Sequence, residues 1–132
     1  MEMWLPVVGF EGLYEISDQG AVRAMHREVP YGRHGRTVYA QRTLKQFASK
    51  NGYPSVKLSF AGKTKTAYVH QLVTRAFLGP KPETSQKIEV RHLNGNKRDN
   101  RVENLRYGTV KENAGDRVRH AAERKHAGGK TA

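Results

Sequence analysis

The stretch Val90-Arg91-His92-Leu93-Asn94-Gly95-Asn96, followed by Asn104 and Asn113, decides how this 132-residue chain is read. It offers one imidazole and two carboxamides, the amides 12 and 21 positions beyond the histidine. A neutral imidazole takes up a proton near physiological pH, and an amide oxygen can fix a histidine tautomer or bind a hard cation. The patterning around them predicts a strand over about Ile88 to Leu93, a polar loop from Asn94 to Glu103, and a second strand around Leu105 to Tyr107. Thr109-Val110-Lys111-Glu112 has the form of a capping box, which starts a last helix at Val110 and runs it to about Lys125. A strand, loop, strand and helix in that order can bring three distant residues into one small cleft.

Phosphodiester hydrolysis needs a base for the attacking water, charge stabilisation at the transition state, and help for the leaving oxygen. His92 suits the base. Asn104 can accept from one ring N–H and fix the tautomer. Asn113, in the first turn of the last helix, suits one Mg²⁺ or Mn²⁺ completed by waters and phosphate oxygens, in the favourable field of the helix N-terminus. Each piece has a plainer reading. Asn94-Gly95 and Asp99-Asn100 are ordinary turn formers, a lone histidine on a strand is usually structural, and Asn113 alone is one more polar helix residue. The ordered combination carries the argument.

Upstream, Trp4 to Val8, Tyr14 to Ser17 and Ala21 to Ala24 read as short strands, with Asp18-Gln19-Gly20 as a hairpin turn. Residues 30–35 read as an exposed loop, and 45–49 are too short to assign. Val56, Leu58 and Phe60 alternate on one face of a strand, and Ala61-Gly62-Lys63 turns the chain into a second strand over Thr64 to Val69. The period then changes: Leu72, Val73, Ala76 and Phe77 form a helical stripe from His70 to Phe77, ended by Gly79-Pro80. The fold class is α+β, with a small antiparallel β module over 1–68, a nuclease-type unit with its preceding helix over 69–126, and a disordered tail over 127–132.

Charge supplies the second clue. Lys and Arg number 24 against 12 Asp and Glu, a net charge of +12, with pI near 10.2 and mean hydropathy −0.79. From Arg23 to Lys65 the cations at 23, 27, 33, 36, 42, 45, 50, 57, 63 and 65 face Glu28 alone. Such one-sidedness points to a nucleic acid partner, against the plainer reading of a solubilising surface. The lack of cysteine rules out disulfides and thiolate zinc sites and fits the cytoplasm. No apolar run is long enough to span a bilayer, Met1-Glu2-Met3-Trp4 does not open a signal peptide, and no membrane partner is expected.

Val69-His70-Gln71-Leu72-Val73, the run from Val90 to Asn96, Asn100 to Thr109, and Glu112-Asn113 closely resemble the HNH endonucleases of phages and their introns. Trp4-Leu5-Pro6-Val7, Gly9 to Ser17 and Gly20 to Arg23 resemble the nuclease-associated module that precedes the HNH motif in many homing endonucleases. The resemblance spans about residues 2–116. It implies a ββα-metal (His-Me) finger, one divalent ion, and hydrolysis of DNA to 3′-hydroxyl and 5′-phosphate ends, His92 matching the general base, Asn104 the residue that orients it and Asn113 an amide metal ligand. The best-matching relatives carry an aspartate where this chain has Arg91. A guanidinium cannot coordinate a cation, so another donor compensates (His92, Asn94 and His70 are candidates), or Arg91 turns outward to a phosphate, or metal affinity falls. His70 matches a family histidine and equally fits a cap or buried hydrogen bond.

The expected partner is double-stranded DNA, bound by a monomer or weak dimer. Arg23, Arg27, Arg33, Arg36, Arg42 and Lys45 form the main tracking surface, and a two-stranded ribbon there could enter the major groove. Arg91, Lys97, Arg98, Arg101 and Arg106 lie nearer the scissile phosphate. Longer relatives continue into further DNA-binding elements, so weaker sequence specificity is expected. The competing readings are an inactive DNA-binding module that keeps the fold, which Arg91 favours, and a basic RNA-binding protein, which the His92, Asn104 and Asn113 spacing disfavours.

Overall fold

The computed structural model describes residues 1–109. The capping box beyond Thr109, the last helix with Asn113, and the expected tail lie outside the described residues. Short strands β1 (Trp4–Pro6), β2 (Tyr14–Ser17), β3 (Val22–Ala24), β4 (Arg27–Tyr31), β5 (Gly35–Tyr39), β6 (Arg42–Thr43) and β7 (Phe47–Ala48) come first. A long hairpin, β8 (Pro54–Phe60) and β9 (Lys63–Tyr68), leads directly into helix α1 (Val69–Phe77). A second hairpin, β10 (Ile88–His92) and β11 (Leu105–Thr109), is joined by a polar loop and one 3₁₀ turn (Val102–Asn104). Every strand pair among the described residues is antiparallel: β1-β2-β3-β6, β7-β8-β9, and the two-stranded pairs β4-β5 and β10-β11.

The sequence patterns account for most of this. Val56 and Leu58 alternate with exposed Lys57 along β8, so one face of that hairpin is buried. The stripe on α1 buries Val69, Leu72 and Val73, and the helix packs on both hairpins and on β1 and β2. Val7, Tyr14, Ile16, Val22, Val56, Leu58, the three α1 residues and Leu105 make one continuous core. That core crosses the expected boundary at 68/69, with α1 as its centre. Tyr14 fastens the front sheet to β8, its hydroxyl accepting from the Ser59 N–H at 2.9 Å.

The exposed loop expected over 30–35 is confined to the turn at 32–34; Pro30, Tyr31 and Gly35 belong to a regular ribbon in which Arg27 pairs with Tyr39 and Tyr31 with Gly35. Pro30 and the glycines obscured its alternation, because the ribbon has almost no buried face to write a hydrophobic period into the sequence. Among the described residues, no helix is long and apolar enough to cross a membrane.

The turn between β2 and β3 docks the front sheet on the loop that follows β10. Gly20 has φ +87°, and a Cβ there would sit 3.1 Å from both the Asn100 carbonyl oxygen and the Asn100 Cβ. Two residues on, the Val102 N–H donates to the Asp18 carbonyl at 2.8 Å. Gly20→Ala therefore meets a backbone penalty of about 1–3 kcal/mol and a steric one directed at Asn100. Urea unfolding should show a loss of at least that order, with Leu105→Ala costing about 2–5 kcal/mol by opening a cavity in the core.

Candidate active site

His92 closes β10 opposite Leu105 of β11, with 9% of its surface exposed. Its Nε2 lies 2.8 Å from Asn100 Oδ1. A carboxamide oxygen can only accept, so Nε2 carries the hydrogen and the neutral ring keeps its Nδ1 lone pair for a proton. Burial pushes the His92 pKa below its usual value. The Asn100 hydrogen bond and the Asp99 charge push it upward, Lys97 pushes it down, and burial is the largest of these.

Asn104 does not hold that ring, contrary to the expectation from sequence. It clamps the loop instead. Its Oδ1 accepts from the Asn94 N–H at 3.0 Å, and its Nδ2 donates to Asn94 Oδ1 at 3.0 Å and to the Asp99 carbonyl at 2.9 Å. The reason is placement: Asn104 lies buried in the 3₁₀ turn just before β11, where it reaches across the neck of the loop. Asn100, eight residues after His92, lies deeper in the loop and buried. Sequence reading missed it because Asp99-Asn100 looks like any turn. The available signal was a carboxamide in a loop whose turns are already supplied by Asn94 and Asn96.

Those turns are visible. Asn94 Oδ1 accepts from the Asn96 N–H at 2.8 Å, Asn96 Oδ1 accepts from the Arg98 N–H at 3.0 Å, and the Gly95 N–H donates to the His92 carbonyl at 2.9 Å. Asn94 Nδ2 donates to Asp99 Oδ2 at 2.7 Å, and Arg101 grips both Asp99 oxygens at 2.8 Å. The Arg101 fork holds the Asp99 carboxyl down to about 2. Asp99 is thus a fixed anion beside the His92 loop.

His70 stands at the start of α1 in a packed cluster of rings. It stacks on Tyr68 (centroids 5.4 Å apart, 22° between planes), tilts against Tyr53 at 5.0 Å, and meets His92 edge-on at 5.4 Å. Its Nδ1 is buried with no hydrogen-bond partner. Burial, then the neighbouring His92, lowers its pKa to about 4.

Arg91 is on the other face of the hairpin. Strand residues alternate, Arg91 pairs with Arg106 and Glu89 with Gly108, and the Arg91 methylenes lie across Gly108 where a Cβ would collide with them. Among the described residues, no group of three or more His, Cys, Asp or Glu could hold a metal ion.

The other sequence-predicted cations are divided between packing and surface. Arg23 is bound by Glu15 at 2.5 Å and lies over the Trp4 ring at 4.0 Å. Arg36 meets Glu28 at 3.3 Å, and Arg27 lies over Tyr39 at 5.1 Å. Lys97 donates to the Asn51 carbonyl at 2.9 Å and caps the Tyr53 ring at 4.8 Å. Arg106 donates to the Leu105 carbonyl at 2.6 Å. Arg33, Arg42, Lys45 and Arg98 are exposed.

Residues 67–115 match the family model described as HNH endonuclease, and residues 2–59 match the NUMOD4 motif. The chain is 34% identical over 110 residues to the DNA endonuclease I-HmuI of Bacillus phage SP01, covering 83% of this chain and 54% of that protein. It is 32% identical over 125 residues to an uncharacterized HNH endonuclease of Acanthamoeba polyphaga mimivirus, covering 92% of this chain and 26% of the relative. A solved structure of I-HmuI, described as DNA binding and cleavage by an HNH homing endonuclease, superposes with TM-score 0.68 at 31% identity, over 90% of this chain and 59% of that one. The chain thus spans about half the length of the phage relative.

The buried His70 makes stability depend on pH. Its folded pKa of about 4 lies below the ordinary value near 6.5, so the unfolded chain binds a proton that the folded one refuses. Its contribution is complete above pH 6.5 and is lost as pH falls toward 4, on the order of 3 kcal/mol at most. Urea unfolding at pH 7 and pH 5 should show part of this loss, about 2 kcal/mol, in the wild type and a smaller one in His70→Gln.

Proposed function

The chain belongs to the HNH endonuclease family, with a NUMOD4 motif ahead of its HNH domain, and on that premise we propose that it is a divalent-metal-dependent endonuclease that nicks double-stranded DNA. The observation that carries this is the neutral imidazole of His92, fixed by Asn100 with Nδ1 left to accept a proton. The scissile phosphodiester is attacked by a water whose proton passes to His92 Nδ1. The P–O3′ bond breaks, which leaves 5′-phosphate and 3′-hydroxyl ends once the departing oxygen is protonated. Asn100 keeps the ring in the acting tautomer. Asn104 and Asn94 hold the loop that carries Asn100, and His70 packs the ring from the far side as a neutral wall. One Mg²⁺ or Mn²⁺, when bound, would supply charge neutralisation at the phosphate, with Asn113 as its proposed protein ligand, as in the ββα-metal finger that the family resemblance implies. One finger provides one active centre, so a monomer cuts one strand.

DNA is held mainly through its phosphates. Arg33 at the tip of the β4-β5 ribbon, with Arg27, Arg36, Arg42 and Lys45, is proposed to track the duplex, the ribbon being of a size for the major groove. Lys97, Arg98, Arg101 and Arg106 flank the centre, with Arg91 turned outward. Arg23 is the weakest of the set, because Glu15 and Trp4 already occupy it. The phage relative supports the host-cell cytoplasm as the compartment.

Supercoiled plasmid with Mg²⁺ or Mn²⁺ should convert to the nicked form, and His92→Ala should slow this by roughly 10²–10⁴-fold, the usual contribution of a positioned base. Asn100→Ala should also slow nicking, because the ring is then free to take the wrong tautomer. If the wild type binds DNA yet leaves plasmid intact with every divalent ion, the chain is a binding module only. Binding should weaken steeply with salt, and Arg33→Ala should reduce the slope of log K against log salt by about 1.

A further inference from the structure

A cleft of about 300 Å³ opens beside the His92 centre, between α1 and the outer end of β10. Tyr53, Tyr68 and Tyr107 wall it, and His70 forms part of its lining. Two of those rings also touch the active centre: Tyr53 lies 6.0 Å and His70 5.4 Å from the His92 ring, centroid to centroid. The mouth carries Arg75, Lys81 and Lys87, all exposed. The Gln71 carboxamide lines the cleft and brings one acceptor and two donor hydrogens.

Two features call for an occupant. The His70 Nδ1 is buried without a partner, in a residue only 8% exposed, and such an atom destabilises the fold unless something bonds to it. The second is proximity: Tyr53 and His70 line the cleft and also lie against the His92 ring, so a nucleotide joined to a phosphate at that centre is within reach of the cleft.

We propose that the cleft receives a single nucleotide of the DNA substrate, turned out of its stack next to the phosphate that His92 addresses. The inference rests on the nuclease reading above and extends it to how the substrate is held. Tyr107 offers aromatic surface to a base without regard to its identity, while Tyr53 and Tyr68, each with one face taken by Lys97 or His70, complete the apolar wall. Gln71 and His70 Nδ1 offer hydrogen bonds to its edge, and the cations at the mouth meet the flanking phosphates. The volume suits one nucleotide and is far too small for a duplex.

The test begins by mapping the nick site on plasmid and placing it in a short duplex. A mismatch is then moved one position at a time through that site, and affinity is measured without divalent metal. A mispaired base has already lost much of what holds it in the stack, so one position adjacent to the scissile phosphate should bind on the order of tenfold more tightly, equivalent to about 1.4 kcal/mol, while the others stay level. Gln71→Trp, which fills the cleft from a half-exposed helix position without touching His92, should remove that gain. Thymidine 5′-monophosphate, titrated into the wild type, should shift the His70 ring resonances in NMR spectra and leave Trp4 unmoved. A level mismatch scan on a duplex that is nicked overturns the inference and leaves the nuclease reading intact. So does a gain that survives Gln71→Trp, or a nucleotide that leaves His70 unmoved. If no DNA is nicked, both readings fall.

Discussion

The hydrogen bond between His92 Nε2 and Asn100 Oδ1 is the contact on which the site depends. It selects the tautomer, and so decides which nitrogen keeps its lone pair. It is also the endpoint of everything that holds the loop. Asn104 ties both ends of the loop through Asn94 and Asp99, Arg101 pins Asp99, and the β2-β3 turn presses Gly20 against Asn100. Lys97 reaches Asn51 in the turn before β8. The front sheet thus buttresses the loop that fixes the imidazole, and the NUMOD4 portion contributes to the His92 geometry as well as to the basic surface.

The electrostatics follow the same division. A protein of net charge +12 attracts a polyanion, yet its proposed base has to stay uncharged in that field. Burial achieves this for His92 and more strongly for His70. Asp99 works in the opposite direction on His92, and Arg101 binds Asp99 tightly enough that it serves as a local anchor. The imidazoles are therefore kept neutral by packing against tyrosine rings, while the guanidinium and ammonium groups occupy the surface.

How much the sequence revealed depends on how each element stores its information. The β8-β9 hairpin and α1 were legible because each buries one face and writes a period into the chain. The β10 and β11 strands were legible through the order of their polar residues. The β4-β5 ribbon was not, since exposed strands carry no such period and Pro30, inside β4, reads as part of the neighbouring turn. Asn100 was hidden for a different reason. Asparagine in a turn usually bonds its own backbone, as Asn94 and Asn96 do here. Only the three-dimensional path of the loop separates the one asparagine that bonds the ring from those that build the turn.

Arg91 illustrates how a sequence position and a site position can diverge. Adjacent residues on a regular strand face opposite ways, so a residue just before His92 reaches His92's cleft only if the strand end departs from regular alternation. In this chain β10 stays paired to its last residue, His92 opposite Leu105, and Gly108 leaves room for the Arg91 side chain on the outer face. The long cation is thereby accommodated away from the imidazole, where it does not compete for Asn100. The residue before His92 and the His92–Asn100 pair are consequently separable in this fold, because they lie on opposite faces of one hairpin strand.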